Sequence, residues 1–319
     1  MPTSTTGYIP TPYFLTSPSS VAVDATSSNL WIADGMGFPQ SGVYGVNPDP
    51  PAVVKFSIGQ SAGVLRMTQS NIPNLATPAD AELDASGNVW VADSSGYLFH
   101  LDGSSGALLT TVSGRNNGCP ACGTAWYYYS LAMEPGVSGN VWATSYNDGY
   151  VSAYSPTGVQ QAGSPYFAIY GGWGSFSAAI DASGSVWLPG FHGMERLTTA
   201  GSQNPGSPFP ILGTKHDTLV TLGEGTAIDG AGHAWMTTDL DTVYELDSQG
   251  NILSGLSGFV GDDPNTGPDS IAVDGSGNVW FNAEPGLGDA TLYELVGAAA
   301  PVVTPIAYGV QTNQLGVRP

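Results

Sequence analysis

Ile271-Ala-Val-Asp-Gly-Ser-Gly-Asn-Val-Trp280 is the stretch that decides the fold, because the chain contains it six times in recognisable form. Its relatives are Val21-Ala-Val-Asp-Ala-Thr-Ser-Ser-Asn-Leu-Trp31, Ala81-Glu-Leu-Asp-Ala-Ser-Gly-Asn-Val-Trp90 and Leu131-Ala-Met-Glu-Pro-Gly-Val-Ser-Gly-Asn-Val-Trp142. Ala178-Ala-Ile-Asp-Ala-Ser-Gly-Ser-Val-Trp187 and Thr226-Ala-Ile-Asp-Gly-Ala-Gly-His-Ala-Trp235 complete the set. A small-apolar run leads into an acid, a tight Gly/Asn turn follows, and a tryptophan opens the next apolar run. Such a unit reads as a β-hairpin: Gly and Asn tolerate positive φ, and the acid can bond the amides of its own turn. The apolar run before the acid reads as the innermost strand, buried on both faces and therefore without polar alternation. The indole then fills the wedge between neighbouring sheets.

The six tryptophans recur every 45 to 59 residues. That is the period of a propeller blade built from several strands. Third strands follow in Tyr97-Leu-Phe-His-Leu-Asp102, Tyr150-Val-Ser-Ala-Tyr154, Val243-Tyr-Glu-Leu-Asp247 and Leu292-Tyr-Glu-Leu295, and a weaker fourth in Ala107-Leu-Leu-Thr-Thr-Val112. The fold expected over residues 1–319 is one all-β domain: a six-bladed β-propeller with four-stranded antiparallel blades around a central channel. Residues 298–319 are expected as a closing strand or tail, and Tyr8–Phe14 is the rival closing segment. Pro10, Pro12, Pro301 and Pro305 restrict both to edge pairing.

The hairpin phrases resemble the NHL-repeat propellers and, more loosely, the regucalcin/gluconolactonase family and the streptogramin (virginiamycin B) lyases. The resemblance runs over residues 17 to 297. It implies a six-bladed ring, and for the latter two families a divalent metal at one mouth of it. Propellers of this pattern include enzymes, scaffolds and ligand-binding proteins, so the fold leaves the function open.

Six Lys and Arg residues stand against 26 Asp and Glu, a formal charge of −20. Such a chain repels phosphate backbones and anionic membranes, so nucleic acid and membrane insertion are not expected. The acidity suits solubility in an acidic or salty exterior, or the attraction of cations or neutral glycans. Cys119 and Cys122, in Cys-Pro-Ala-Cys, lack the second ligand pair of a zinc site and the βαβ setting of a redox motif. They read as a loop-stapling disulfide, which fits an oxidising compartment. A secreted or periplasmic monomer is expected, although Met1 leads into sequence without a signal-peptide pattern.

Acids repeated in every blade (Asp24, Asp84, Glu134, Asp181, Asp229 and Asp274) read as turn structure. Asp34 and Asp93 are expected to bond the next loop. Positions where blades differ carry more information. Five residues ahead of the hairpin acid stand Ser19, Ala79, Tyr129, Phe176, Glu224 and Asp269; four ahead stand Ser20, Asp80, Ser130, Ser177, Gly225 and Ser270. Asp80, Glu224 and Asp269 are thus the candidate ligands of a divalent metal, Ca²⁺ first, since hard cations take several oxygen ligands. Pro268-Asp269 and Glu224-Gly225 resemble ligand-bearing segments of the regucalcin family, whereas Ala79, Tyr129 and Phe176 stand at positions matching those where that family carries other ligands. The loops on the same face bring Trp126, Tyr129, Tyr146, Trp173, Phe176 and Phe191, candidates for stacking on a sugar or aromatic ligand, or for packing the loops themselves. His192 and His216 are the candidate general bases or metal ligands; His100 and His233 read as structural. Two functions follow: a metal-dependent hydrolase or lyase acting on a small molecule at the channel mouth, or a non-catalytic propeller binding a glycan or protein through its aromatic loops.

Overall fold

The computed structural model describes residues 15, 18–24, 29–35, 50–57, 64–114, 128–136, 139–145, 149–168, 175–190, 193–211, 223–238, 242–260, 266–285 and 291–301. The chain is a six-bladed β-propeller, and every named element among the described residues is a strand.

The first half, Met1–Pro165, carries blades one to three, with the short last strand of blade three just past its end. Blade one comprises β1 (Pro18–Val23), β2 (Asn29–Asp34), β3 (Ala52–Ser57) and β4 (Val64–Met67). Blade two comprises β5 (Pro78–Leu83), β6 (Val89–Asp93), β7 (Tyr97–Leu101) and β8 (Leu108–Ser113), and blade three β9 (Tyr128–Met133), β10 (Val141–Ser145), β11 (Tyr150–Tyr154) and β12 (Tyr166–Phe167). The first strands β1, β5 and β9 lie side by side, so each blade presents its first strand inward.

The second half, Tyr166–Pro319, repeats the plan. Blade four comprises β13 (Ala179–Ile180), β14 (Val186–Gly190), β15 (Gly193–Leu197) and β16 (Phe209–Pro210); blade five comprises β17 (Gly223–Ile228), β18 (Ala234–Thr238), β19 (Thr242–Leu246) and β20 (Phe259–Val260). Blade six has β21 (Thr266–Val273), β22 (Val279–Pro285) and β23 (Thr291–Leu295). Here β13, β17 and β21 are neighbours. Every sheet is an antiparallel meander in chain order.

The sixth sheet has three strands among the described residues; the candidate closing segments, Tyr8–Phe14 and all but the first few residues of 298–319, lie outside them. The chain leaves β23 through a turn at Val296–Gly297, and the Ala299 amide bonds the Gly277 carbonyl. Two expectations are corrected. The inner strands are not buried throughout: β5 and β9 mix buried with half-buried or exposed positions, while β6, β10, β14 and β18 are buried end to end. An inner strand has sheet on one side only, so the second strand takes the centre of the core. In the hairpins, the glycine alone takes positive φ, as at Gly87, Gly184, Gly232 and Gly277. The asparagine serves differently, its amide donating to the hairpin acid, as Asn278 does to Asp274 at 2.8 Å.

The core lies between blades. Trp31, Ala22 and Ala33 of blade one pack with Ala81, Val89 and Val91 of blade two, and Trp90, Ala92 and Leu98 with Leu131, Val141 and Ala143 of blade three. Trp187 packs with Ala234 and Met236 of blade five, and Trp235 with Val279 and Phe281 of blade six. Five of the six repeat tryptophans are fully buried. Each such side chain removes roughly 150–250 Å² from water, which makes them the main contributors to the wedge.

Candidate functional site

The hairpin acids do what repetition implies. Asp84, Asp181, Asp229 and Asp274 each accept two amides of their own turn through Oδ1, for example Ser276 at 2.8 Å and Asn278 at 3.0 Å for Asp274. Their second oxygen faces the blade. There it takes the indole of Trp187 at 2.9 Å, Trp235 at 3.4 Å and Trp280 at 3.2 Å; in blade three Glu134 takes that of Trp142 at 2.8 Å. These bonds hold Asp274 down at about 2, with the turn amide of Asn278 the largest cause and the Trp280 indole next. Asp93 accepts the amides of Ala76 and Thr77 in the loop entering β5, both at 2.9 Å.

In blades one, two and four the residue opposite the tryptophan on the third strand adds a second device. Lys55 lies 5.3 Å from the Trp31 ring centre, His100 stacks on Trp90 at 4.3 Å, and Arg196 covers Trp187 at 4.9 Å. His100 also meets Asp84 at 3.0 Å and Arg196 meets Asp181 at 2.7 Å. With Arg66 on Asp34 at 3.2 Å, every described Lys and Arg is engaged in an internal contact. The negative surface charge is therefore not offset by them.

Blade five reverses the polarity of this device. Glu245 stands opposite Trp235, and its nitrogen partner is His233 in the turn, whose Nδ1 lies 2.8 Å from Glu245 Oε1 and 3.6 Å from Asp229 Oδ2. One nitrogen facing two carboxylates must donate a proton or bind a cation. All three ligand atoms lie within 4.8 Å, so Asp229, His233 and Glu245 could hold a divalent metal. An imidazole with two carboxylates suits zinc better than calcium, which prefers oxygen. Asp229 already accepts from four donors, the Ala300 amide among them, which leaves it a weak third ligand.

The inner strands carry the more selective signal. The residue four ahead of the hairpin acid bonds the amide three ahead in the next blade. Ser20 Oγ accepts from Ala81 at 2.8 Å, Asp80 Oδ2 from Leu131 at 2.8 Å, and Ser177 Oγ from Thr226 at 3.2 Å. Serine suffices for this staple, so the carboxylate of Asp80 exceeds the structural need. Two residues on, five blades carry Ala22, Ala132, Ala179, Ala227 and Ala272, and blade two alone carries Glu82. Residues 80 and 82 share one face of β5, the face opposite Ala92 and Trp90 that meets blade three. Both are half-buried, reaching water while protein surrounds them. Burial raises the Asp80 carboxyl, against bonds from Leu131, Ser20, Ala81 and Ser130. Burial, then the charge of Asp80, pushes Glu82 up to about 8. At neutral pH the pair therefore keeps a proton that a cation can displace.

No protein-family model matches the chain, and no curated protein matches it. Among solved structures, 1111 chains share its fold. One is PorZ, described as an essential bacterial surface component of the type-IX secretion system of Porphyromonas gingivalis, at 15% identity and a TM-score of 0.58. The alignment covers 88% of this chain and 40% of that one. At this identity the likeness speaks for the propeller fold alone.

Of the residues singled out in the sequence, Asp80 sits in the blade-two pair just described. Tyr129, on the adjacent β9, is 42% exposed. Phe176 is half-buried just ahead of β13, and Glu224 half-buried near the start of β17. Asp269 lies in β21, next to β17, and its side chain is outside the described set. Trp126, Tyr146, Trp173, Phe191, His192, His216, Cys119 and Cys122 also lie outside the described residues. His100 and His233 both sit within blade devices rather than loops. Glu82 escapes a reading of the sequence because it stands inside an apolar run; the signal that finds it is its being the one non-alanine at its position.

Proposed function

We propose that this chain is an exported, non-catalytic β-propeller that captures a small positively charged ligand at the inner strand of its second blade. Asp80 and Glu82 are the anchors. The observation that carries the reading is the double replacement on one strand face, serine by Asp80 and alanine by Glu82, where the repeat needs neither acid. The −20 charge supports it, since the described cations are engaged inside the blades and a cation is drawn in from a distance. An extracellular setting is in keeping with the surface role described for PorZ.

The ligand class is a compact ammonium or a divalent ion such as Ca²⁺. Isothermal titration with 1,4-diaminobutane and with calcium chloride tests the reading and separates the two. Saturable binding by either probe, abolished in Glu82→Ala and released by acid, is the expected result. Failure of both probes to bind, or binding unchanged in Asp80→Ser and Glu82→Ala, overturns it.

A hydrolase or lyase is the second reading, favoured by the proton Glu82 holds near neutrality, which suits a general acid. In that case a divalent ion, with Glu224 and Asp269 as the candidate ligands, would polarise the substrate carbonyl. Turnover of lactones or esters that is lost on chelation would favour it over simple capture. A glycan or protein held by the aromatic loops would instead bind undiminished in both acid variants.

A further inference from the structure

Among the described residues, the blade-five hairpin is the one place where an imidazole and two carboxylates converge. His233 Nδ1 lies 3.6 Å from Asp229 Oδ2 and 2.8 Å from Glu245 Oε1. Nitrogen and oxygen ligands of a tetrahedral zinc ion stand about 3.4 Å apart. The Asp229 separation is already within a few tenths of that, and Glu245 has to swing outward by only about half an ångström. The side chains of His233 and Glu245 are 28% and 14% exposed, which gives an ion its entry and a water its fourth position.

Asp229 cannot join such an ion while keeping all its present bonds. Its Oδ1 accepts the amides of Ala231 and His233, both at 2.9 Å. Its Oδ2 accepts the Trp235 indole at 3.4 Å and the Ala300 amide at 3.0 Å, which occupies both lone pairs. An ion on Oδ2 therefore displaces one of these donors. Trp235 is fully buried against Val279 and Phe281 of blade six, so its N–H has no route to water. Ala300 is half-buried, and its amide can exchange the carboxylate for solvent at small cost. That amide is one of the ties that cross from blade six to blade five: the Ala299 amide bonds the Gly277 carbonyl, and the Gly230 amide bonds the Ala300 carbonyl, both at 3.0 Å.

We infer that Asp229, His233 and Glu245 form a binding site for a zinc-class divalent ion, and that filling it frees the Ala300 amide and loosens this segment from blade five. The imidazole then carries its proton on Nε2, leaving the Nδ1 lone pair to the ion. The site is separate from Asp80 and Glu82, and its failure would leave that reading untouched.

Titration of the full chain with zinc chloride, with amide exchange followed residue by residue by nuclear magnetic resonance, tests both parts. Expected is one zinc per chain, bound roughly tenfold or more weakly by His233→Asn and by Glu245→Gln. In the parent, zinc should speed exchange of the Ala300 amide by roughly tenfold or more while leaving that of Ala299, held by blade six, unchanged. In His233→Asn the same zinc should move neither amide. Zinc that fails to bind, or that binds both variants as it binds the parent, overturns the site. Zinc that binds through these side chains yet leaves exchange at Ala300 unchanged, or slows it, overturns the release. Equal binding of calcium chloride would refute the zinc-class assignment.

Discussion

Asp80 accepts the backbone amide of Leu131 at 2.8 Å, joining β5 of one blade to β9 of the next. Ser20 and Ser177 make the corresponding bonds to Ala81 and Thr226 with a hydroxyl. One side chain thus serves two ends, a staple that any hydrogen-bond acceptor could form and a charge that only an acid can supply. The two can be separated by substitution.

Asp80→Ser should keep the staple and lose the charge. Its urea midpoint should match or exceed the parent, while cation binding disappears. Asp80→Ala leaves the Leu131 amide without that acceptor and should cost about 1–3 kcal/mol. Equilibrium urea unfolding of the two variants beside the parent checks both statements; equal loss in both would mean that the charge itself holds the blades together.

Glu82 predicts an unusual pH dependence. Its folded value, about 8, lies above the unfolded one, so its contribution to stability is fully present below the unfolded value and is lost as pH rises through about 8. The parent should therefore lose stability between about pH 5 and 8, at up to roughly 1.4 kcal/mol per pH unit where the folded group stays protonated and the unfolded one does not. Glu82→Ala, the residue of the other five blades, should flatten the curve and melt higher than the parent at pH 9. Calorimetric scans across that range decide it. A parent curve as flat as that of the variant would show that the carboxyl ionises normally.

The same proton links to the ligand. Binding of a cation at Asp80 and Glu82 should release close to one proton at pH 7, and affinity should tighten up to about tenfold per pH unit from 6 towards 8. Titrations in buffers of different ionisation enthalpy measure that release. Affinity independent of pH, with no proton released, would place the ligand elsewhere.

Much of the architecture was legible because each hairpin is forced by local chemistry. A glycine at positive φ, as at Gly277, and an acid that bonds turn amides, as Asp274 does, leave little freedom in ten residues. Comparing blades position by position also found Asp80. It missed Glu82, since a single acid in Ala-Glu-Leu looked like part of an apolar strand until the alanines of the other blades stood beside it. The three-stranded extent of the sixth sheet among the described residues was not legible at all. Last strands such as Phe209–Pro210 and Phe259–Val260 are two residues long and carry no pattern whose absence could be noticed. Loop residues such as His192 and Trp173 lie outside the repeat, so position could assign them no role.

Arg196 is the side chain whose loss should cost most in blade four. It meets Asp181 at 2.7 Å and the Ser248 carbonyl at 2.9 Å while covering the Trp187 ring. Burial tends to raise the Asp181 carboxyl, yet bonds from Ser183, Trp187 and Arg196 together hold it below the ordinary carboxylate range. Arg196→Ala strands a buried carboxylate and should cost about 3 kcal/mol. Arg196→Lys, which copies the arrangement of Lys55 over Trp31 in blade one, should recover part of that. Urea unfolding at pH 7 measures both, and a loss under about 1 kcal/mol in Arg196→Ala would show that the turn amides and the indole satisfy Asp181 unaided.

His233 offers a last separation, between a hydrogen-bonded turn and a metal centre. As a turn residue it is replaceable by asparagine, which fills the same place in Asn88, Asn140 and Asn278. His233→Asn should therefore stay within about 1 kcal/mol of the parent in metal-free buffer. As a ligand beside Glu245 and Asp229 it is not replaceable. Zinc at a hundredfold excess over its dissociation constant stabilises a single site by about 2.7 kcal/mol, so the parent should melt several degrees higher with zinc than with a chelator, and His233→Asn should show no difference. Calorimetry of both proteins with and without zinc reads the outcome. An unmoved parent would leave the 2.8 Å contact between His233 and Glu245 as a hydrogen bond and nothing more.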